Sequence, residues 1–216
     1  MPTQTKENYL KAIYFLEIKN EEVTITALGK AMEVSKPTVN NMVKKLSEKG
    51  WISYEKYKPI SLTALGKKAA ALIIRKHRLT EMFLVKIMGF GWEEVHQIAE
   101  EMEHLKTESL FDRMDEILGY PTADPHGSPI PNKDGLYDRK SYDVLSSVAT
   151  NTEATLRAVG DSSVALLNML NDKGITLGTV FKVIKVEEFD KTMVVDYDNH
   201  KGVSLSYEVC KRLLIE

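Results

Sequence analysis

The chain has 216 residues, 43% of them hydrophobic and 28% charged, the balance of a folded chain rather than a disordered one. No apolar run exceeds the six residues from Ala69 to Ile74, too short to span a bilayer, and the first residues show no basic-then-apolar signal order. A single cysteine, Cys210, excludes a disulfide framework and an all-cysteine metal site, so a cytoplasmic protein of one large domain or two to three small ones is expected.

Charge is unevenly placed. The net charge is −2, yet residues 1–80 carry 15 Lys and Arg against seven Glu and no Asp, whereas residues 81–216 carry 14 Lys and Arg against 24 Asp and Glu. A basic head suits a polyanion, and an acidic body suits cations.

Tyr9, Leu10, Ile13, Tyr14 and Leu16 follow helical spacing and predict a helix over about 4–18, and residues 24–32 predict a short second one. Ser35 is placed as a cap and Pro37 in the first turn of a third helix, which carries Val39, Met42, Val43 and Leu46 inward and stops at Gly50. Residues 51–57 and 60–62 read as two strands of a hairpin around Lys58 and Pro59, followed by helices over 63–88, 92–104 and 107–118. Four of the seven prolines then fall between Pro121 and Pro131, which marks a connector with several turns. Beyond Thr150, one helical stretch (164–170) precedes β-branched runs at 179–186, 193–197 and 203–207, the pattern of a small barrel. Cys210 lies between apolar neighbours and reads as a packing residue.

Two short helices, a tight turn and a two-stranded wing make a winged helix-turn-helix. Its recognition helix would present Ser35, Lys36, Pro37, Thr38, Asn40 and Asn41 to base edges and phosphates, with Lys44 and Lys45 toward the backbone. Tyr54, Lys56, Tyr57 and Lys58 sit in the wing, within reach of phosphate or minor groove.

Four of the five histidines lie between residues 77 and 126, alongside carboxylates at helical spacing. His96, Glu100 and His104 follow one another four residues apart with Glu103 beside them, and His77 and Glu81 repeat that spacing on the preceding helix. Two neighbouring helices would bring these six together in a thiol-free set of oxygen and imidazole donors, which favours Mn(II) or Fe(II). A carboxylate-bridged di-iron bundle is set aside, because both Glu-x-x-His pairs, Glu93/His96 and Glu101/His104, fall on one helix. No nucleophile elbow, phosphate loop or dinucleotide fingerprint is present, so an enzyme is not expected.

Together these motifs resemble the metal-dependent repressors of the diphtheria-toxin-repressor and manganese-transport-regulator type. The resemblance rests on residues 7–14, 35–39 and 54–67, then 75–79 and 100–104, and on the connector at 126–131. It implies a fold that is mainly α with α+β parts. The expected parts are a winged helix-turn-helix (1–63), a helical metal-binding and dimerisation domain (64–140), a linker (141–149) and a small SH3-like, FeoA-like domain (150–216).

The resemblance further implies a primary metal site of Asn8, Glu100, Glu103 and His104. Carboxylate at Glu100 is the manganese-type choice, while Lys11 replaces a glutamate that helps build a binuclear manganese site. Two ancillary patterns are compatible: Glu81, Asp124, His126 and Asp161, or His77, Glu81 and His96. The first is preferred because it accounts for His126 in the proline-rich connector. The implied function is a homodimeric repressor with Mn(II) or Fe(II) as corepressor, acting on a palindromic operator in double-stranded DNA without membrane contact. An iron-type repressor, or a winged-helix regulator that senses a small organic ligand without metal, are the alternatives.

Overall fold

The computed structural model describes residues 3–56, 58–138 and 140–216. The chain divides into two compact units, one of residues 1–80, 99–122 and 130–137, the other of residues 81–98, 123–129 and 138–216. Among the described residues no helix is long and apolar enough to cross a membrane.

The first unit opens with α1 (Gln4–Ile18), α2 (Ile25–Ala31) and α3 (Lys36–Glu48). Thr24 caps α2, its hydroxyl accepting from the Ala27 N–H at 3.0 Å. Ser35 stands at the start of α3 in extended backbone, but its hydroxyl meets the Thr38 hydroxyl at 2.9 Å instead of capping a backbone donor. Gly50 adopts a positive φ of 69° and ends α3, as its position predicted.

The wing is shorter than expected. Only β1 (Ile52–Ser53) and β2 (Ser61–Leu62) pair, antiparallel. Glu17 on α1 accepts the Leu62 N–H at 2.7 Å and ties the wing to the helical head. Tyr9, Leu10, Ile13, Leu28, Val39, Val43, Leu46, Ile52 and Leu62 form one core, which leaves the opposite face of α3 in solvent.

The long α4 (Ala64–Lys86) passes from the first unit into the second, as does α5 (Val95–Met102) in the reverse direction. The latter is shorter at both ends than its periodicity predicts: residues 92–94 form a turn, and Glu103 and His104 lie in the turn beyond the helix. Then comes α6 (Glu108–Ile117).

The second unit holds a six-stranded antiparallel sheet. Its strands are β3 (Asp143–Val144), β4 (Glu153–Val159), β5 (Val180–Val186), β6 (Met193–Tyr197), β7 (His200–Leu205) and β8 (Leu213–Ile215), in the order β3-β8-β4-β5-β6-β7. Register shifts interrupt three of its ladders, bending the strands as small β domains require. Two helices, α7 (Val164–Asp172) and α8 (Tyr207–Cys210), complete it.

Three sequence expectations need correction here. Residues 143–147, expected as linker, form β3 and a 3-10 turn whose Leu145 is fully buried. The strands β4 and β8 were not expected, because alanines dilute the alternation of one and the other has three residues. The last β-branched run ends at Leu205, since Ser206 caps α8 through its hydroxyl. Cys210 is buried in the sheet core, and burial pushes its thiol up to about 12, leaving it an inert packing residue.

Candidate metal centre and nucleic-acid interface

Among the described residues, two clusters of histidine and carboxylate form within a single unit, one in each. In the first, α1 presents Glu7, Asn8 and Lys11 on one helical face, α4 presents His77, and the end of α5 with its following turn supplies Glu100, Glu103 and His104. Ligand atoms of Glu100, Glu103 and His104 lie within 4.8 Å of one another. The Glu103 side chain is fully buried, and its Oε2 accepts from His77 Nδ1 at 2.7 Å.

His104 Nδ1 donates to Glu7 Oε2 at 2.6 Å. That bond sets the imidazole tautomer and leaves Nε2 as the ring's acceptor, an arrangement typical of metal-ligating histidine. Nε2 is buried and lies 3.7 Å from Glu103 Oε1; among the described residues neither it nor the buried Asn8 Oδ1 has a hydrogen-bond partner. Two orphaned acceptors, a buried carboxylate and a second carboxylate are a donor set that fits a hard divalent cation.

Lys11 is the departure. Its Nζ lies 2.6 Å from Glu100 Oε2 and 2.8 Å from each oxygen of Glu103, with 13% of the side chain exposed. Glu7 and Lys11 were missing from the expected set, although both stand one helical turn or less from Asn8.

In the second unit, Glu81 on α4 meets Asp124 and His126 of the connector, all three at most 4% exposed. His126 Nε2 donates to the Trp92 carbonyl at 2.9 Å, which leaves Nδ1 facing Glu81 Oε2 at 3.7 Å and Asp124 Oδ1 at 3.9 Å. The indole of Trp92 stacks on the same imidazole. Burial disfavours the imidazolium, but the hydrogen bond and charge of Glu81, the charge of Asp124 and the Trp92 carbonyl outweigh it and raise the His126 pKa.

The turn that holds these residues is fixed by its backbone. Asp124 Oδ1 accepts the N–H groups of His126 and Ser128, and the His126 carbonyl accepts the Val159 N–H of β4 at 2.9 Å. Gly127 has a φ of 87°, and a Cβ there would lie 2.2 Å from the Arg157 carbonyl oxygen, so the turn admits only glycine.

His96 Nδ1 lies 3.2 Å from Glu81 Oε1, with over half of its side chain exposed. Asp161 is not brought to this cluster: its Oδ1 accepts the Ser163 N–H at 2.9 Å and its Oδ2 faces Arg212 Nε at 3.4 Å. Of the other ancillary pattern, His77 belongs to the first unit and Glu81 and His96 to the second.

The recognition-helix residues Ser35, Lys36, Pro37, Thr38, Asn41, Lys44 and Lys45 are exposed, opposite the buried Val39, Val43 and Leu46. Asn40 is half-buried, and its Nδ2 donates to the Lys36 carbonyl at 3.1 Å. Lys58 pairs with Glu55 at 2.6 Å within the exposed wing, and Tyr57 lies outside the described residues.

Comparison with known proteins follows this division. Residues 1–60 match the iron-dependent repressor N-terminal DNA-binding domain, residues 63–132 the iron-dependent repressor metal-binding and dimerisation domain, and residues 144–216 the FeoA domain. The iron-dependent repressor IdeR of Mycobacterium tuberculosis (strain H37Rv) is 28% identical over 98% of this chain and 96% of its own. The IdeR of Mycobacterium leprae is 37% identical over a shorter stretch, 62% of this chain and 57% of its own.

Among solved structures, a manganese-dependent transcriptional repressor in complex with manganese is similar at 30% identity and a TM-score of 0.86, over 97% of this chain and 98% of that one. ScaR with bound Cd2+ is similar at 31% identity and a TM-score of 0.81, over 100% and 99%. The matched domains bind DNA and dimerise, so DNA and a second copy of the chain are its partners. The chain belongs to the DtxR/IdeR family of iron- and manganese-dependent DNA-binding transcriptional repressors, and it is not an enzyme.

Proposed function

We propose that this repressor is activated by Mn(II) or Fe(II) held by Asn8, Glu100, Glu103 and His104. The carrying observation is the pair of buried acceptors, Asn8 Oδ1 on α1 and His104 Nε2 beyond α5, that have no hydrogen-bond partner among the described residues and lie beside two carboxylates. When bound, the ion supplies the positive charge that those acceptors and carboxylates lack as a set. Through the ion, Asn8 would join α1 to the end of α5, and α1 shares its core with α2, α3 and the wing. The ligand set thereby biases the placement of the recognition helix, which is how a corepressor acts through its differential affinity for one conformation.

An ancillary site of Glu81, Asp124 and His126, with His96 hydrogen-bonded to Glu81, completes the reading. Two copies joined through the second domain would present two recognition helices to the half-sites of a palindromic operator, one helical turn apart or a multiple of it. The exposed Leu105, Ile117 and Tyr120 of that domain suit such a contact. Ser35, Lys36, Pro37, Thr38, Asn41, Lys44 and Lys45 would meet the DNA, with Asn40 and the wing residues Tyr57 and Lys58 at its margin. Genes of metal uptake are the expected targets, and a transcription regulator of this kind would work in the cytoplasm. The domain boundaries we propose are those given above, with the C-terminal domain beginning at β3.

The test is binding of the purified protein to operator-length DNA, titrated with Mn(II), anaerobic Fe(II) and Zn(II) against a chelated control. Binding that appears with metal and follows a stable order among the ions is the expected result. Binding as tight in chelator contradicts it and favours a regulator that uses no metal.

A further inference from the structure

We infer that Lys11 is a built-in competitor of the activating cation: its ammonium holds the carboxylates of Glu100 and Glu103 and sets the metal concentration at which the site fills. This inference rests on the reading of Glu100, Glu103 and His104 as ligands. Three observations carry it. Lys11 Nζ is 2.6–2.8 Å from three carboxylate oxygens, so each of its three N–H donors has an acceptor. Those oxygens belong to the same two residues whose ligand atoms converge with His104. The Glu103 side chain is fully buried, where a carboxylate without a counter-charge is costly.

Lys11 therefore does in the metal-free protein what a cation does in the loaded one: it neutralises the buried carboxylate and joins α1 to α5. The carboxylate oxygens cannot serve an ammonium and a divalent cation at the same distances, because the two positive charges repel strongly at such a separation. The flexible four-carbon stem allows the ammonium to withdraw toward solvent when the carboxylates change partner. Metal binding is then an exchange of one cation for another, and the broken ion pairs are subtracted from the affinity. A neutral residue at this position would give a site that fills at lower metal concentration and a head that is less well fixed without metal.

The experiment uses the full-length, metal-free protein and follows Mn(II) binding by the decline of the free-ion electron paramagnetic resonance signal, with no DNA present. Wild type is compared with Lys11→Met, Lys11→Gln and Lys11→Arg, and thermal unfolding of each is recorded in chelator and in saturating Mn(II). Lys11→Gln keeps an N–H donor and answers the question if Lys11→Met does not fold. One class of sites is expected to bind Mn(II) at least tenfold tighter in Lys11→Met and Lys11→Gln, and no tighter than wild type in Lys11→Arg. The neutral variants should also unfold at lower temperature in chelator and gain more from Mn(II) than wild type does.

Mn(II) affinity unchanged or weaker in both neutral variants overturns the inference while leaving the metal site in place. Absence in wild type of any Mn(II) binding that Glu100→Gln with Glu103→Gln removes overturns the proposed metal site as well, and the two failures are thereby distinct.

Discussion

The two clusters hold carboxylates in different ways. Around Glu103 the Lys11 ammonium does it, at 2.8 Å, together with His77. Around Glu81 and Asp124 the nearby His126 has its pKa raised by those same carboxylates, so a removable proton shares the task. The difference lies in what a divalent cation must displace. At the first cluster it would compete with the ion pairs of Lys11, at the second with the proton that Glu81 and Asp124 favour on His126.

The largest effect should come from removing the first cluster's donors. In Glu103→Ala with His104→Ala, the metal-dependent gain in operator affinity (the affinity with Mn(II) over that in chelator), about 5–150-fold for a typical coupled site, should vanish. Fluorescence anisotropy with labelled operator reads both numbers. A metal response that survives in this variant would mean that the second cluster carries activation, which reverses the ranking of the two.

A smaller effect, and one that should leave both clusters untouched, comes from the exposed lysines of α3. Replacing Lys44 and Lys45 with Ala should weaken binding to all DNA sequences alike and reduce the salt slope by about one for each lysine that meets a phosphate. Mn(II) binding without DNA should not change. If it does, interface and metal centre are coupled more closely than their separate residues imply.

The smallest effect is the pH dependence at His126. A histidine whose folded pKa lies above its unfolded value of 6.5 stabilises the fold fully below that value, and the contribution disappears as pH rises through the folded pKa. Metal-free protein should therefore lose a little stability as pH is raised above about 6.5, and His126→Gln should flatten that part of the profile. Mn(II) binding at the second cluster should show the opposite trend, tightening as the proton leaves. Urea unfolding in chelator across this range reads the first. A profile unchanged by His126→Gln would remove the proton from the comparison.

The helical head was legible in the sequence because its signals are local. Apolar spacing marks α1 and α3, Pro37 and Gly50 bracket the recognition helix, and the exposed polar residues lie opposite Val39, Val43 and Leu46. The β domain was legible only where β-branched residues cluster. The alternation in Glu153–Val159 is carried partly by alanine, a poor strand former, and Leu213–Ile215 is too short to show a period.

At the candidate metal centre the residue types were legible, and so was the convergence of Glu100, Glu103 and His104, but not the backbone that carries them. Periodicity ran the helix through His104, whereas it ends at Met102 and the last two donors sit in the following turn. Asp161 was placed by resemblance, and Arg212 and the Ser163 N–H hold it instead. Lys11 read as a missing ligand, since its role depends on residues about ninety positions away in the chain.

The central claim is that metal and DNA favour the same conformation, and reciprocity tests it most directly. The Mn(II) affinity of the full-length protein should be measured with and without saturating operator-length DNA, and the DNA affinity with and without saturating Mn(II). The account predicts that DNA tightens Mn(II) binding by the same factor as Mn(II) tightens DNA binding, with that factor well above one. Equal Mn(II) affinity in the presence and absence of DNA would contradict it.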